Sequence, residues 1–427
     1  MIARPVRILY VMHSGSPAGS ADSLCLLLEH FRPGAVNATV LCPDGDVVPR
    51  LRKAAATVRI IPGVSMFHSS EGVPLRGLRL LELGRTIWMM RHADRIRAAI
   101  RETRPDVVHL NERGMLHAAR IAHEQGVPVV LQARSVAERR EGWVRRLSMR
   151  EMGRHVSRVV AIDESVRASL EGIPNLEVIY NPLDDGTLAD AATARRSAAR
   201  PDALVRVTYL TGLQVFKGIR DLLESALMLR HRADILFQIA GTGSHPAAFH
   251  RSARGRFLHL FGFAPDVESW VRRWIVEHGA EATVRLLGRV EPNAVLAETD
   301  ILAFPSHLDG PGRSVFEAGA RGIPAVVSLR HRIEDVVVDG ETGLIVPERD
   351  PQSLAQAILR LADDADLRRR LGENARTRYC RQFAPQPIAD QVLALYLTLM
   401  RQAIPGTLQD RVRPASLETT SPTRSPA

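Results

Sequence analysis

Short apolar runs and helix-like spacings alternate along the first part of the chain. The first run occupies residues 7–12, and residues 22–31 after it repeat leucine and phenylalanine at the intervals of an amphipathic helix. Further apolar runs follow at residues 38–41, 58–61, 106–110, 127–131, 158–162 and 178–180. Strands that are buried on both faces have this form, so the pattern predicts a parallel sheet with helices on each side.

A second series of the same kind begins after residue 203. Its apolar runs lie at residues 205–210, 235–240, 283–287, 301–304, 325–328 and 343–346. Between the two series, residues 188–203 are rich in Ala, Arg and Asp and have no apolar stripe, which is typical of a linker. The pattern therefore predicts an α/β protein with two doubly wound, Rossmann-like domains.

The last part of the chain combines amphipathic patterns with a polar tail. Residues 354–371 and 388–400 carry apolar side chains at helical spacing, so we expect one helix over each range. Residues 405–427 are rich in Pro, Ser, Thr and Arg, a composition that predicts disorder.

Composition narrows the class of protein. Three widely separated cysteines offer no metal spacing and no disulfide framework, which fits a reducing compartment. Neither a signal peptide nor an apolar run of membrane-spanning length is evident, so we expect a cytoplasmic protein. The net charge of +10 is compatible with nucleic acid, an anionic membrane or an anionic substrate. Because no nucleic-acid recognition motif is present, we do not expect a nucleic-acid partner.

Residues 301–328 carry the strongest functional signal. An apolar run leads into a loop that contains Gly310, then into a helical pattern opening near Ser314, and then into another apolar run. Strand, glycine loop and helix start form the layout that binds phosphate groups, because backbone N–H groups at a helix N-terminus face the anion. Two carboxylates, Asp309 and Glu317, stand in the same stretch with seven residues between them.

This stretch resembles the signature of retaining glycosyltransferase family 4, which has the GT-B fold with a central cleft between two Rossmann-like domains. Asp309 takes the place of the first Glu of the family's E-x7-E pair and is one methylene shorter. The matching positions are Pro305, Ser306, Asp309, Gly310, Arg313, Ser314, Glu317, Ala318, Ala320, Gly322 and Pro324. Residues 335–358 also resemble a segment of that family, E-x-x-x-DG-x-TGLLV-x-x-x-D.

Lys217 and Gly218 match a second family segment, in which an Arg and a Lys clamp the diphosphate of the donor. Gly212 stands where the family has that Arg, so half of the clamp is missing, and Arg313 or Arg220 are candidates to replace it. The alternative for Lys217 is a solvated loop residue. Lysine is scarce in this chain, which has only Lys53 and Lys217, and that scarcity favours a function.

Each carboxylate has a structural alternative. Ser314 and Glu317 fit a capping box, in which the Glu reaches back to the first backbone N–H of the helix. The resemblance instead implies that Glu317 binds the donor ribose. Asp309 before Gly310 is a common turn pair, whereas the resemblance implies that it holds hydroxyls of the transferred sugar. The backbone N–H groups near Arg313, Ser314 and Val315 would face the diphosphate.

Other candidate positions depend on the resemblance alone. Gly241 and Gly243 follow the run 235–240, and Gly15 and Gly19 follow the first run, where family members have glycine loops that face the cleft. Arg134 stands where the family often has a His that faces the reacting sugar. His109 and Asn111 resemble another family segment, but a His at a strand end is more often structural.

Arginine-rich segments at 76–91 and 139–158 include tryptophans and could lie on an anionic membrane or pack as solvated helix faces. Many relatives act on lipid-linked acceptors, which adds weight to the membrane interpretation. A further insertion at 243–283 is also rich in Arg and Trp. We therefore predict a protein at the inner face of the cell membrane or free in the cytoplasm.

The resemblance implies this organisation: an acceptor-binding domain over 1–187, a linker over 188–203, a nucleotide-sugar-binding domain over 204–384, a helix over 385–404 that returns to the first domain, and a tail over 405–427. It implies a retaining transfer of a sugar from a nucleotide-diphosphate sugar to a glycan or lipid-linked acceptor in cell-envelope or polysaccharide synthesis, without a cofactor or metal. The changes at Gly212, Asp309 and Arg332, where the family has Gly, leave open a degenerate relative that binds a nucleotide sugar or a partner without turnover.

Overall fold

The computed structural model describes residues 4–16, 19–54, 57–64, 93–137, 142–184, 186, 188, 204–243, 245, 247–260, 265–310, 312–331 and 333–407. The basic segment 76–91 lies outside these ranges, as do residues 408–427 of the expected tail and all of the expected linker except residue 188. Within them, the chain forms two parallel sheets with helices on both faces.

The first sheet contains seven strands in the order β3-β2-β1-β4-β5-β6-β7 among the described residues. Its strands are β1 (Val6–Val11), β2 (Val36–Cys42), β3 (Thr57–Ile60), β4 (Val107–Leu110), β5 (Val129–Ala133), β6 (Arg158–Ala161) and β7 (Leu176–Val178). The helices between them are α1 (Gly19–Glu29), α2 (Val48–Ala54), α3 (Ala93–Thr103), α4 (Leu116–Glu124), α5 (Trp143–His155) and α6 (Glu164–Ser169). All the strand pairs are parallel, so every strand ends at the same edge.

The second sheet has the described order β10-β9-β8-β11-β12-β13 and is also parallel throughout. Its strands are β8 (Val205–Leu210), β9 (Ile235–Ala240), β10 (Val284–Gly288), β11 (Ile301–Phe304), β12 (Ala325–Ser328) and β13 (Gly343–Val346). Its helices are α7 (Ile219–Met228), α8 (Ala247–Arg251), α9 (Ala253–Leu260), α10 (Val267–Glu277), α11 (Pro292–Leu296), α12 (Arg313–Ala320), α13 (Pro351–Asp363) and α14 (Ala365–Gln382). Helices α8, α9 and α10 occupy the insertion at 243–283.

Alternating side chains on each central strand enter two different cores. On β1, Ile8 and Tyr10 pack into the cluster that includes α1, whereas Leu9 and Val11 pack into the cluster on the opposite face. On β11, Ile301 packs into the core on one face of the second sheet and Leu302 into the core on the other face. Because successive strand residues point to opposite faces, a strand covered on both sides is apolar at most of its positions, as the two series of apolar runs predict.

The last helix, α15 (Pro385–Thr407), packs against the first sheet rather than the second. Val392, Tyr396 and Leu399 are buried in the core that also contains β1 and α1. A fully buried side chain of this size contributes roughly 1.5–3 kcal/mol, so a few such residues suffice to anchor the helix.

The prediction of one helix over residues 354–371 was wrong. Two helices, α13 and α14, meet at Asp364, whose carboxylate accepts from the backbone N–H of Leu367 at 2.8 Å and so caps the second helix. An N-cap residue has non-helical backbone angles, and Asp364 has φ −110° and ψ 89°. Across the described residues, no helix has the length and apolar character required to cross a membrane.

Candidate active site

A cavity of about 350 Å³ lies between the two domains, at the carboxyl ends of both sets of strands. In open α/β sheets this edge is where ligands bind, at the point where the strand order reverses. Gly19, Glu112, Arg134 and Asp163 are among the residues that line the cavity from the first domain. From the second domain the lining includes Lys217, Asp309, Gly310, Gly312 and Arg313. The cavity therefore brings together six of the residues predicted from sequence: Gly19, Arg134, Lys217, Asp309, Gly310 and Arg313.

Lys217 ends a short 3₁₀ helix after β8 (Val215–Lys217), and Gly218 follows it with φ 76°. A Cβ atom on Gly218 would lie only 1.6 Å from the carbonyl oxygen of Pro305, so the close approach of this loop to the end of β11 requires glycine. The Lys217 ammonium lies 5.5 Å from the ring centre of Phe304. Burial lowers the pKa of Lys217. Among the described residues it has no carboxylate at ion-pair distance, so its charge remains available to an anion.

His307 is a residue that sequence reasoning missed, and it holds the Lys217 loop in place. Its Nε2 lies 2.8 Å from a carboxylate oxygen of Asp221, on α7. Its backbone N–H donates to the carbonyl oxygen of Phe216 at 2.9 Å. The loop after β11 is thus fastened to the residues on both sides of Lys217.

The capping-box interpretation of Ser314 and Glu317 was wrong. Helix α12 begins at Arg313, its N-cap is Gly312, and no side chain caps it. The Glu317 carboxylate instead accepts from Arg313 Nε at 2.7 Å, one helical turn away. Burial raises the pKa of Glu317, while the neighbouring guanidinium acts in the opposite direction. Glu317 therefore orients Arg313 but does not itself line the cavity.

Arg313 reaches across the cleft to the first domain. Its Nη1 lies 3.4 Å from the Ser23 hydroxyl on α1, and its Nη2 lies 4.0 Å from a carboxylate oxygen of Asp184. A guanidinium at this position touches both walls of the cavity. Of the two candidates for the missing clamp residue, Arg313 lies at the cavity, whereas Arg220 stacks over the Trp270 ring at 5.1 Å and does not line it.

Asp309 is buried and already bonded to the loop after β12. One carboxylate oxygen accepts from the backbone N–H groups of Arg330 and His331, at 3.1 and 3.2 Å, and the other contacts His331 Nδ1. Gly310 follows with φ 96° and lies against Asp163 of the first domain. If Asp309 holds sugar hydroxyls, as predicted, its carboxylate must do so while it also keeps these bonds to residues 330 and 331.

Arg134 lies just beyond the end of β5 on the first-domain wall of the cavity. Its Nε and Nη2 donate to the Asn111 side-chain oxygen, its Nη2 also donates to Gln132, and its Nη1 donates to Asn181 at 2.7 Å. All three partners are neutral amide oxygens. Desolvation lowers the pKa of Arg134 to about 10, so the side chain stays charged at neutral pH.

Two carboxylates of the first domain also line the cavity and were missed in the sequence. Glu112 follows β4 by two residues and is 8% exposed, and Asp163 follows β6 by two residues and is 4% exposed. Desolvation raises the pKa of Asp163 to about 7, although its carboxylate caps α6 by accepting from the backbone N–H of Val166. An acid two residues beyond a buried strand is the sequence signal that would have identified both.

The remaining predicted residues support the loops without lining the cavity. A Cβ atom on Gly15 or Gly241 would lie within 2.4 Å of a backbone oxygen, whereas Gly243 has no such close contact. The backbone N–H of Val315 donates to the carbonyl oxygen of Gly312 at 2.9 Å, so this N–H is not free to face a phosphate. Ser314 is buried.

Two Rossmann-like domains that face each other across a ligand-sized cleft define the GT-B architecture. The family described as "Glycosyltransferase Family 4" matches residues 18–186, and "Glycosyl transferases group 1" matches residues 192–378. The chain is a GT-B glycosyltransferase that resembles family 4.

Individual relatives and solved structures agree with this class. A glycogen synthase from Mycobacterium tuberculosis is 27% identical over 318 residues, which is 70% of each chain. A D-inositol 3-phosphate glycosyltransferase from Corynebacterium efficiens is 30% identical over 224 residues, covering 51% of this chain and 48% of the relative. The crystal structure of Anabaena HepE in complex with UDP superposes with a TM-score of 0.71 at 19% identity, covering 92% of this chain and 100% of that chain.

Proposed function

We propose that the protein transfers a sugar, with retention of anomeric configuration, from a nucleotide-diphosphate sugar to an acceptor held by the first domain. The observation that carries this proposal is the set of three cations around one cavity: Lys217 and Arg313 from the second domain and Arg134 from the first. Breaking the bond between a sugar and a diphosphate increases the negative charge on the diphosphate. Positive groups already in place stabilise that charge without reorganisation.

The donor would lie against the second domain. Lys217 lacks a carboxylate partner among the described residues and would bind the diphosphate as a point charge, while Arg313 is held by Glu317 and would offer its remaining N–H groups. With these side chains present, the proposal needs no metal ion. The structures of HepE contain UDP or UDP-glucose, which makes these two compounds the first probes to test.

Retention is supported by the resemblance to family 4 and implies attack from the face that the diphosphate leaves. The Asp309 carboxylate accepts from two backbone N–H groups and contacts His331, so it is poorly placed to act as a free nucleophile. In this proposal the leaving phosphate accepts the proton of the acceptor hydroxyl, and Asp309 orients the transferred sugar.

The acceptor would lie near Glu112 and Asp163 and would be presented at an anionic membrane surface. Helix α5 of the first domain exposes one stripe at helical spacing, formed by Trp143, Arg146, Leu147, Arg150 and Arg154. Trp143 is 58% exposed and Leu147 is 39% exposed, which is unusual for residues of this type. An apolar and basic stripe of this kind lies in the headgroup region of anionic bilayers.

Donor binding and turnover test the main proposal. Calorimetry with UDP and UDP-glucose should show at least tenfold weaker binding for Lys217→Ala, because one charge-assisted hydrogen bond contributes about 1.5–3 kcal/mol. Lys53→Ala, which removes the exposed lysine on α2, is the matched control and should bind like wild type. Equal affinity in all three proteins would contradict the assignment of Lys217.

Turnover across a panel of nucleotide sugars and acceptors then separates an enzyme from a binding protein. Transfer with a retained anomeric configuration, read by NMR of the product, is the expected result. Donor binding without any turnover would favour the degenerate relative, and an inverted product would refute the retaining mechanism.

Vesicle sedimentation tests the membrane component. Arg150→Glu reverses one charge in the stripe on α5 and should weaken binding to phosphatidylglycerol vesicles by about tenfold or more, since each basic residue near such a surface contributes about 1 kcal/mol. Arg273→Glu makes the same charge change on an exposed position of α10 and should leave binding near wild type. Binding that is equally weak in both variants, or absent in wild type, would refute the stripe.

A further inference from the structure

A continuous chain of hydrogen bonds, buried up to its last member, connects the last helix of the protein to the Arg134 guanidinium. Starting from the core, the Tyr10 hydroxyl lies 3.0 Å from the Tyr396 hydroxyl, and the Tyr396 hydroxyl lies 2.6 Å from His109 Nδ1. His109 Nε2 lies 3.3 Å from Gln132 Oε1, which in turn lies 2.6 Å from Arg134 Nη2. Tyr396 belongs to α15, whereas the other members stand on β1, β4 and β5 or directly after them.

The guanidinium determines the direction of every bond in this chain. A guanidinium only donates, so the Gln132 atom beside Arg134 has to be the carbonyl oxygen. That oxygen also faces His109 Nε2, which must then carry a proton. Burial, reinforced by the nearby Arg134 charge, lowers the pKa of His109 to about 3, so its ring is neutral. A neutral ring with a proton on Nε2 has a bare Nδ1, and Tyr396 must therefore donate to it.

The hydrogen-bond partners of Arg134 are all uncharged, although the charge of the nearby Glu112 carboxylate raises the pKa of the guanidinium against the effect of desolvation. Four of its five N–H groups are accounted for by Asn111, Gln132 and Asn181, all through amide oxygens. Among the described residues no carboxylate lies within ion-pair distance of it. An arginine held by neutral acceptors keeps its positive charge for a ligand, and its position depends on how firmly those acceptors are themselves held.

We infer that Tyr396 and His109 are positioning residues that hold Gln132, and through it Arg134, at the wall of the cleft. The role follows from three consecutive bonds with one permitted direction, two of them buried and the last, from Arg134 to Gln132, partly buried at the cleft. The returning helix α15 thus contributes to the site through its Tyr396 hydroxyl as well as through its packing. The consequence for catalysis rests on the proposed function, whereas the positioning of Arg134 does not.

Two isosteric variants separate positioning from general stability. Tyr396→Phe removes the donor to His109 and leaves Nδ1 buried without a partner. Tyr10→Phe removes a hydroxyl from the same core, but Tyr396 can still donate to His109. Both variants lose the bond between the two tyrosines, and Tyr396→Phe also loses the bond to His109. The melting temperature should therefore fall in both variants and further in Tyr396→Phe, so the loss of stability by itself does not test positioning.

The decisive measurement is NMR of the full chain labelled with ¹⁵N-arginine, with the Arg134 Nε–H signal assigned through Arg134→Lys. In Tyr396→Phe the signal should shift and its hydrogen exchange should accelerate by roughly tenfold, because the acceptor Gln132 is less firmly held. In Tyr10→Phe both should stay at wild-type values. An Arg134 signal that is unchanged in both variants, or altered equally in both, would overturn the inference.

Turnover of the donor provides the second readout. Tyr396→Phe should lower kcat by roughly tenfold with little change in KM, while Tyr10→Phe should stay within about twofold of wild type. A wild-type protein that turns over no donor would refute the proposed function, and the NMR comparison would still decide the positioning role. Wild-type kcat in Tyr396→Phe together with a shifted Arg134 signal would show that Arg134 is positioned but does not act in the reaction, which would overturn the catalytic half of the inference.

Discussion

Replacing Gly218 by alanine should disturb the Lys217 loop through a contact that can be separated from backbone strain. The residue has φ 76°, and an added Cβ atom would meet the Pro305 carbonyl oxygen at 1.6 Å. A left-handed backbone costs an alanine about 1–2 kcal/mol. The contact with Pro305 adds a second cost, because the loop must move away from the end of β11 to make room for the Cβ atom. Overpacking of this kind typically costs about 1–3 kcal/mol. We therefore expect a total of about 2–5 kcal/mol.

Gly279→Ala is the matched control in the same domain. Gly279 has φ 58° at the end of α10, and an added Cβ atom would have no neighbour within 4 Å. This variant carries only the backbone strain, so it should lose about 1–2 kcal/mol. The difference between the two variants measures the close approach of Gly218 to Pro305.

Urea unfolding followed by tryptophan fluorescence gives the two free energies of unfolding, and calorimetry with UDP gives the functional effect. Gly218→Ala should bind UDP at least tenfold more weakly, since the loop that moves carries Lys217, whereas Gly279→Ala should bind like wild type. Equal destabilisation of the two variants would refute the packing argument. Unchanged UDP affinity in Gly218→Ala would refute the link between the loop and the nucleotide.

Two further predictions concern buried groups. The pKa of Asp163 is raised to about 7 by burial, with the charge of Asp335 acting in the same direction, so the folded state binds more protons than the unfolded state between about pH 4 and 7 and loses stability as the pH rises through that range. Asp163→Asn keeps an N-cap side chain but cannot ionise, so urea unfolding should show it gaining stability relative to wild type between pH 5 and pH 8; a difference independent of pH would contradict this. Gly319→Ala on α12 would place a Cβ atom 2.0 Å from the Tyr379 ring and should cost about 1–3 kcal/mol, measured by the same method. Gly153→Ala in the last turn of α5, where the nearest atom is 3.9 Å away, should instead stabilise by up to about 0.5–1 kcal/mol, and a similar cost in both variants would argue against the contact with Tyr379.

Local sequence was sufficient where the physical signal is itself local. Strands β8, β9, β11, β12 and β13 have the boundaries that their apolar runs predict, because a strand covered on both faces is apolar at most of its positions. The break at Asp364 escaped the same reasoning. Helical periodicity continues through it, and the cap depends on the backbone angles of one residue.

The sequence by itself determined the two α/β domains, the glycine-rich loops and the resemblance that points to a glycosyltransferase, because each of these is encoded in residues close together in the chain. Tertiary structure decided which partners the site residues have. Glu317 could be a helix cap or a ligand until the helix start at Arg313 showed it bonded to that guanidinium. Asp309 is bonded to the backbone N–H groups of residues 330 and 331. Arg134 is linked through Gln132 and His109 to Tyr396 on the last helix. Contacts between residues 20 to nearly 400 positions apart depend on how the sheets and helices are stacked, and no local pattern records that stacking.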